Sequence, residues 1–256
     1  MASEIITFEQ PLNEHIRICL RLEFLFQQTK YFIRNNSDWD SRIALASILE
    51  MLNLVDRPDL KNKLGQALNQ FAASLIQLEK KPNVDKEKLD LTIAQIDAMI
   101  DLFHQTQGKI GLALRENDFL FAFQQRLHVP AGGCSFNLPA LHLWLSQDIS
   151  TRQNDLQSWL NEFTQIRNII DLLLKLTREC TLLKSQTAHS GFFQTSLDPT
   201  IPYQMIRIAY PQKLNLYPEV SVGRHRLTLH FFEFSSSKRA VQTQQDVTFE
   251  LACCKI

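Results

Sequence analysis

Residues 226–234 read RLTLHFFEF, and polar and apolar side chains alternate along this stretch. A period of two is typical of a β-strand with one buried face, and it places Leu227, Leu229 and Phe231 on that face. Similar segments lie at 191–195 (GFFQT), 204–210 (QMIRIAY) and 246–254 (DVTFELACC), with prolines between them. These segments predict an antiparallel sheet of about four strands.

Upstream, residues 12–183 carry apolar side chains at the three- and four-residue spacing of amphipathic helices. After a first helix that starts near Leu12, we predict helices over 40–54, 59–80, 86–105 and 109–127. The clearest pattern starts at Ser150, which has capping-box spacing with Gln153. It predicts one helix of about 30 residues. Its apolar seam fits the spine of a bundle or half of a dimer interface, and comprises Leu156, Trp159, Phe163, Ile166, Ile170, Leu173, Thr177 and Cys180.

The order of helices first and strands afterwards indicates an α+β fold. We predict an N-terminal helical bundle over residues 1–186, followed by a small antiparallel β domain over residues 187–256. The N-terminal segment is a further candidate to pack against the strands.

Composition excludes several classes of protein. The formal net charge of the 256 residues is zero, which disfavours a general polyanion binder. The N-terminus lacks the pattern of a signal peptide, and no apolar run is long enough to span a membrane. The five cysteines show no CxxC spacing, which favours reduced thiols in the cytoplasm. Patterns of nucleophilic catalysis, zinc binding and phosphate binding are also missing, so we predict a binding protein without metal or cofactor rather than an enzyme.

The polar face of the 226–234 strand is the first candidate site. With the strand extended back to Arg224, a period of two aligns Arg224, Arg226 and His230. Such a ladder suits an acidic peptide or a phosphate, because guanidinium groups donate paired hydrogen bonds to these anions. The alternative is a solvated face whose arginines pair with Glu219, Glu233 or Glu250.

Other candidate residues have plainer explanations. Arg17 and Arg21 could clamp an anion from one helix, or Arg17 could pair with Glu14. His142 is expected to be partly buried and hydrogen-bonded, although a hydrolase or transferase built around Cys134 and His142 stays an alternative. The Gly132-Gly133 pair predicts a sharp turn rather than a phosphate-binding loop.

The two adjacent cysteines near the C-terminus point to opposite faces if they lie on a strand. We expect Cys253 in the core, beside Phe249 and Leu251, and Cys254 on the outside.

Several longer blocks resemble the ZapD family of bacterial cell-division proteins. They are FEQPLNEHIRICLRLEFLFQQ at 8–28, ALREND at 113–118, RLHVPAGGCSFNLPALHLWL at 126–145, GFFQ at 191–194, NLYPEVSVGRHRLTLHF at 215–231 and FELACC at 249–254. Their order and spacing fit the family along most of the chain.

The resemblance implies a cytoplasmic homodimer at the mid-cell division ring. Proteins of this family bind the C-terminal peptide of the tubulin-like protein FtsZ and bundle FtsZ filaments, without catalysis, cofactor, membrane insertion or nucleic acid. A two-fold particle with two peptide sites can bridge two filaments, even where each contact is weak.

The resemblance also implies which residues bind the FtsZ tail. Asp118 stands at a position that can be basic in relatives, which weakens the expectation for that part of the site. We expect most of the basic side chains to converge on one groove between the helical and β domains. A nucleic-acid-binding module that uses the basic β face stays the alternative, although few exposed aromatic residues are expected there. The implied tail-binding residues are Arg21, Arg57, Arg115, His142, Arg226 and His230, and the strand ladder adds Arg224 to this set.

Overall fold

The computed structural model describes residues 4–78, 85–105, 109–237 and 239–255. Within these ranges helices fill the N-terminal part and antiparallel strands fill most of the C-terminal part, so the predicted α+β class is confirmed. The chain forms two compact units. A helical unit comprises Ile18–Leu173, and a sandwich unit comprises Met1–Arg17 with Leu174–Ile256. The division into domains 1–186 and 187–256 stays a prediction about parts that fold independently.

The described residues form nine α-helices. Three predicted helices are confirmed to within two residues at each described end, although residues 79 and 80, the predicted end of the third helix, lie outside the described ranges. The helices are α1 (Glu14–Arg34), α2 (Asp38–Val55), α3 (Leu60–Leu78), α4 (Lys86–Gln105), α5 (Leu112–Arg115), α6 (Asp118–Gln124), α7 (Pro139–Leu145), α8 (Ile149–Asn161) and α9 (Thr164–Glu179).

The single helix predicted over 109–127 is wrong, because Asn117 divides it into α5 and α6. The Asn117 side chain accepts a hydrogen bond from the backbone N–H of Leu120 at 3.1 Å. It therefore caps the N-terminus of α6, and its own backbone is extended rather than helical.

The continuous helix predicted from Ser150 to Cys180 is also wrong, because the chain turns between α8 and α9. The Thr164 hydroxyl donates to the carbonyl of Asn161 at 2.7 Å and so occupies an acceptor near the end of α8. Phe163 lies in the turn with none of its surface exposed, and its ring packs edge-on against Phe26. The turn between α8 and α9 thus buries the Phe163 ring as a continuous helix would. For this reason the spacing of apolar residues does not reveal the break.

The capping box predicted for Ser150 and Gln153 does not form. Asp148 is the N-cap of α8, and the Gln153 side chain instead donates to the carbonyl of Ile33 at 2.8 Å. A capping box is present at α2, where Ser37 and Asp40 exchange hydrogen bonds.

The apolar seam of α8 and α9 is the spine of the helical unit. Ile166 and Ile170 are at most 1% exposed, as are Leu156, Phe163 and Leu173. The seam therefore packs within the chain, which favours the bundle interpretation over a dimer interface. Cys180, at the end of the predicted seam, is exposed.

The strands form two sheets rather than the one predicted. Sheet A has the order β1-β4-β8-β2, and sheet B has the order β3-β6-β5, with β7 also paired to β6. All pairings are antiparallel. The strands are β1 (Ile5–Pro11), β2 (Lys184–Ala188), β3 (Phe192–Ser196), β4 (Tyr203–Pro211), β5 (Leu216–Gly223), β6 (Arg226–Glu233), β7 (Val241–Gln242) and β8 (Val247–Lys255).

The two sheets share one apolar core. Sheet B contributes Leu227, Leu229 and Phe231, which are 0% exposed, as the alternation in RLTLHFFEF predicts. Sheet A contributes Tyr210 and Phe249, whose ring centroids lie 5.5 and 5.2 Å from that of Phe231. Inner faces that alternate with outer faces in this way are typical of a β-sandwich.

The sequence analysis missed four of the described strands, β1, β2, β5 and β7, and β5 and β1 show why. β5 contains Pro218, which suggests a connection rather than a strand. However, β5 is an edge strand of sheet B, where the missing N–H of a proline costs no ladder hydrogen bond. β1 is an edge strand of sheet A and pairs with β4, so the N-terminal segment does pack against the later strands.

The prediction for the adjacent cysteines is partly wrong. Cys253 does pack against the sandwich core, but it is only partly buried. Cys254 lies on the opposite face of β8 and is 0% exposed, so it does not point into solvent. That face also carries the buried residue Ala252.

None of the helices in the described ranges combines the length and the apolar character needed to cross a bilayer.

Candidate functional site

The outer face of sheet B carries the polar ladder that the sequence predicts. Arg226, Thr228 and His230 alternate with the buried residues of β6 and therefore face away from the core. The register of the sheet places uncharged side chains beside most of this row. The outer face of sheet B comprises Arg226, Thr228, His230 and Phe232 of β6, Ser196, Gln194 and Phe192 of β3, and Gly223, Ser221, Glu219 and Tyr217 of β5.

Arg226 is exposed and has no acidic cross-strand neighbour. It lies between Ser196 of β3 and Gly223 of β5. Among the residues that the structure describes, no carboxylate forms an ion pair with it. Glu219, one of the predicted partners, lies opposite His230 instead. The interpretation of a face neutralised by ion pairs is therefore wrong for Arg226.

Arg224 lies beside the ladder and is not part of it. β6 begins at Arg226, and Arg224 and His225 form the two-residue turn of the β5–β6 hairpin. Extending the strand back to Arg224 was wrong, because the pairing of Gly223 with Arg226 closes the hairpin at that point. Arg224 is exposed at the same end of the sheet as Arg226.

His230 is half-buried in an aromatic row. Its Nδ1 lies 3.0 Å from Oε1 of Gln242. Its ring centroid lies 5.1 Å from that of Phe192 and 6.5 Å from that of Phe232, and the latter ring stacks on Tyr217. Of the aromatic residues on this face, Phe192 from β3 is exposed, whereas Tyr217 from the missed strand β5 and Phe232 are half-buried, so the prediction of few exposed aromatic residues is confirmed.

In the helical unit, Arg115 and Asp56 form the centre of a second group. Arg115 Nη2 lies 3.2 Å from Oδ1 of Asp56 and donates to the carbonyl of Leu52 at 3.1 Å. This carbonyl belongs to the last turn of α2, where a cation is favoured by the helix dipole. Lys109 also approaches Asp56, at 3.9 Å. Arg57, the next residue, is exposed. Arg115 therefore fixes the end of α2 from which Arg57 projects.

Arg21 lies on an exposed stripe of α1. Phe24 and Tyr31 follow it at helical spacing and are 63% and 64% exposed. Within the described residues the Arg21 guanidinium has neither a hydrogen bond nor an ion pair. Arg17 differs, because it forms the alternative pair with Glu14 at 2.5 Å.

His142 is exposed on α7, so the prediction of a partly buried histidine is wrong. The helix instead buries Leu141, Trp144 and Leu145. Trp144 donates to Asp155 at 2.9 Å. The ring of Trp144 also packs with Phe119 and Trp159.

The structure offers no support for an enzyme built on Cys134 and His142. In the described part of the chain no hydrogen bond links Cys134 to His142, and no cluster there has the His, Cys, Asp or Glu side chains needed to hold a metal ion. Asp118 lies in the first turn of α6, where a negative charge is favoured by the helix dipole.

Within each of the two units, the predicted site residues take the following positions. Arg226 and His230 share the outer face of sheet B, with Arg224 at its end. Arg57 and Arg115 lie next to Asp56 at the end of α2. Arg21 and His142 are exposed on α1 and α7, and neither side chain bonds to the Asp56 group. The alternation in β6 predicted the first group, whereas the aromatic neighbours could be found only from the sheet register.

Comparison with known proteins gives a consistent result. A family model described as "ZapD: Cell division protein" matches residues 20–230. The chain is 42% identical over 258 residues to a protein of Coxiella burnetii named "Cell division protein ZapD", with 100% of both chains covered. Proteins of the same name from Methylococcus capsulatus and Azoarcus sp. are 36% and 32% identical, with 97% and 98% of this chain and 98% and 100% of theirs covered.

A family match over most of the chain and identities above 30% over full-length relatives agree with the resemblance seen in the sequence blocks. The chain belongs to the ZapD family of cell division proteins.

Proposed function

We propose that this cell-division protein binds the C-terminal peptide of FtsZ and cross-links FtsZ filaments as a homodimer. The family assignment supports a role in division. We place the main peptide site on the outer face of sheet B because Arg226 is exposed there and lacks an ion-pair partner in the described part of the sandwich unit.

An exposed arginine between Ser196 and Gly223 is suited to an acidic ligand. Small neighbours leave room for a carboxylate to approach the guanidinium in the paired geometry that such groups favour. Arg224, in the adjacent turn, adds a second positive charge at the same end of the sheet.

The aromatic row of the same face would hold apolar side chains of the peptide. Phe192 is 41% exposed and lies against His230, and Tyr217 stacks on Phe232. A peptide that runs along β6 could place an acidic side chain at Arg226 and an apolar one on these rings, because His230 and Phe232 lie four and six residues further along the same strand. Rigid aromatic groups of this kind are frequent contributors to binding energy at interfaces.

The basic residues of the helical unit complete the proposal. We assign peptide contacts to Arg21, Arg57 and His142, which are exposed. Arg115 has a positioning role, because its guanidinium is engaged by Asp56 and by the end of α2. The common groove for all of these residues stays a prediction.

The bundling mechanism rests on two copies of the site in one particle. Linking two weak sites makes the second binding event intramolecular, so the whole assembly holds more tightly than either contact alone. The protein then acts in the cytoplasm at the mid-cell ring by non-covalent contacts, without catalysis. Because several such contacts hold a filament together, each peptide site can bind weakly and reversibly.

Charge reversal at Arg226 tests the site directly. Arg226→Glu should weaken binding of a fluorescent FtsZ C-terminal peptide about 10- to 100-fold, the range expected for loss of a charge-assisted hydrogen bond. Lys213→Glu is the matched control, because Lys213 is exposed in the same unit but lies in the turn after β4. Fluorescence anisotropy gives both affinities, and circular dichroism checks that the variants are folded.

Equal peptide affinity of Arg226→Glu and wild type would remove the outer face of sheet B from the proposed site. Equal losses for Arg226→Glu and Lys213→Glu would indicate a non-specific effect of charge and would also remove it.

Nucleic-acid binding is the second candidate, and the aromatic row favours it. Bases of a single strand stack on exposed rings such as that of Phe192, and Arg226 on the same face of sheet B would attract the phosphates. Retarded migration of a single-stranded oligonucleotide at about 150 mM salt, lost in Phe192→Ala, would support this function. Unchanged migration of the oligonucleotide would exclude it.

A further inference from the structure

Sheet B has an edge that no strand covers. β3 (Phe192–Ser196) is the last strand on one side of this sheet, and within the described part of the chain β6 is the only strand that pairs with it. Natural proteins usually protect such an edge, because its unpaired N–H and C=O groups can bind the backbone of another chain. The two edges of sheet B differ in this protection.

Two hydrogen bonds that flank β3 show which of its residues face the open side. Phe231 donates its N–H to the carbonyl of Gly191 at 2.8 Å, and Leu197 donates its N–H to the carbonyl of His225 at 2.9 Å. Both bonds continue the register of β3 and β6, in which hydrogen-bonded pairs alternate with pairs that are not bonded. The odd-numbered residues of β3 therefore bond to β6, and the even-numbered residues direct their backbone groups away from it.

The backbone groups on the open side belong to Phe192, Gln194 and Ser196, which are all exposed. The N–H of Phe192 is used within the β2–β3 turn, where it bonds to the carbonyl of His189 at 2.9 Å. No hydrogen bond among the described residues uses the Phe192 carbonyl or the backbone groups of Gln194 and Ser196. Alternating donors and acceptors of this kind match an extended polypeptide.

The opposite edge of sheet B, formed by β5, is protected. The N–H of Phe234 bonds to the carbonyl of Asn215 at 3.1 Å, which sets the same alternation and directs the even-numbered residues of β5 outward. Among these, Pro218 has no N–H, and the carbonyl of Leu216 accepts the hydroxyl of Tyr210 at 2.7 Å. Proline and charged residues are common means of protecting an edge, and the β3 sequence FFQTS contains neither.

The side chains beside the open edge suit a strand that is acidic at one end and apolar at the other. Directly opposed residues share a face of the sheet, so an added residue opposite Ser196 would lie on the outer face, in line with Arg226. The added strand would lie about 10 Å from β6, two strand spacings, and the Arg226 side chain can extend towards it over the small Ser196. Four positions away, a residue opposite Phe192 would lie beside its ring, which is 41% exposed.

We propose that the FtsZ C-terminal peptide binds as an added β-strand on the edge of β3, with an acidic side chain opposite Ser196 and an apolar side chain opposite Phe192. This binding mode rests on the proposed function, because it takes the FtsZ peptide as the ligand. In strand addition the backbone hydrogen bonds supply affinity, and the alternate side chains supply specificity. The peptide then needs an acidic and an apolar residue four positions apart.

Hydrogen exchange of the folded wild-type protein, read at single amides by NMR, tests this edge without any substitution. In the free protein the unbonded amides of Gln194 and Ser196 should exchange fast. Saturation with the FtsZ C-terminal peptide should slow both by about 10-fold or more. The outward amides of Val220 and Val222 on β5 are the matched controls and should keep their rates.

Unchanged exchange at Gln194 and Ser196 in protein that has bound the peptide would overturn the added strand. Slow exchange of the same amides in the free protein, at every protein concentration, would assign the edge to a second copy of the chain and would also overturn it.

Gln194→Pro tests the same edge through affinity. Proline removes the outward N–H and places its ring on the open side, which an edge strand tolerates. Fluorescence anisotropy should show a 10- to 100-fold weaker affinity for the peptide, about the loss expected for backbone hydrogen bonds at one site. Val220→Pro is the matched control, because its N–H faces outward on β5, two residues after Pro218, and it should bind like wild type.

Loss of the proposed function and loss of the added strand give different results. No binding of the peptide to folded wild-type protein would contradict the proposed function and the binding mode together. Binding that Arg226→Glu weakens and Gln194→Pro leaves unchanged would keep the proposed site and remove the added strand.

Discussion

At the scale of single residues, Glu9 illustrates how the sandwich unit holds a partly buried charge. Its carboxylate accepts two hydrogen bonds from Arg178, at 2.9 and 2.8 Å, and one from Arg207 at 3.1 Å. The Glu9 side chain is only 15% exposed. One carboxylate thus pairs with two guanidinium groups in a region where solvent screening is weak.

Glu9→Gln should destabilise the protein by about 2–3 kcal/mol, because it leaves two arginines facing each other without a counter-charge. The free energy of unfolding, from urea titration followed by circular dichroism, measures this loss. Glu250→Gln, an equivalent change at an exposed residue of β8 in the same sheet, should stay within about 0.5 kcal/mol of wild type. Equal stability of Glu9→Gln and Glu250→Gln would show that the two arginines need no shared partner.

Residue-scale predictions from sequence succeeded where a single strand decides the outcome. Arg226 and His230 were placed on one face by alternation alone, because a strand reverses its side chains at every step. The partners of these residues could not be predicted, since Phe192, Glu219 and Gln242 reach His230 only through the register of three other strands.

At the scale of the structural elements, the β2–β3 turn depends on a glycine. Gly191 has a φ of 72°, and a Cβ atom added there would lie 2.7 Å from the carbonyl oxygen of Thr243. The Gly191 carbonyl also accepts a hydrogen bond from the N–H of Phe231 at 2.8 Å. The β2–β3 turn therefore cannot shift to make room for a side chain without disturbing Phe231, which belongs to the core face of β6.

Gly191→Ala should therefore destabilise the protein by about 2–4 kcal/mol, from the left-handed backbone and the close contact together. Gly223→Ala offers the matched control in the β5–β6 hairpin, since an added Cβ would approach nothing nearer than the Arg226 carbonyl oxygen at 3.9 Å. Thermal unfolding gives the melting temperatures of the two variants. That of Gly191→Ala should lie below wild type, and that of Gly223→Ala should lie close to it. If both variants melt together with wild type, the β2–β3 turn tolerates a side chain and the packing argument fails.

The element boundaries show which signals in a sequence are reliable. α2 and α4 were predicted closely because their apolar periodicity is uninterrupted. The break at Phe163 was missed because the ring keeps the period of the seam while its backbone leaves the helix. At Pro218 the error was the reverse, because a strand is present where none was predicted. Proline disfavours a central strand but not an edge strand.

At the scale of the whole molecule, the order of helical and strand patterns along the chain was enough to predict the α+β class. It was not enough to predict which segments belong to each compact unit. β1 lies in the first residues of the chain and pairs with β4, about 200 residues later. No local pattern specifies a pairing over such a separation in sequence. The zero net charge of the whole chain also gave no indication that Arg226, on the outer face of sheet B, has no acidic residue opposite it.

The central claim is that this cell-division protein cross-links FtsZ filaments through the FtsZ C-terminal peptide. Sedimentation of the full chain with assembled FtsZ filaments tests it most directly, when run in parallel with FtsZ that lacks this peptide. We predict that the protein pellets with intact FtsZ and bundles it, and that it stays in the supernatant with the shortened FtsZ. Equal pelleting with both forms, or with neither, would contradict this account.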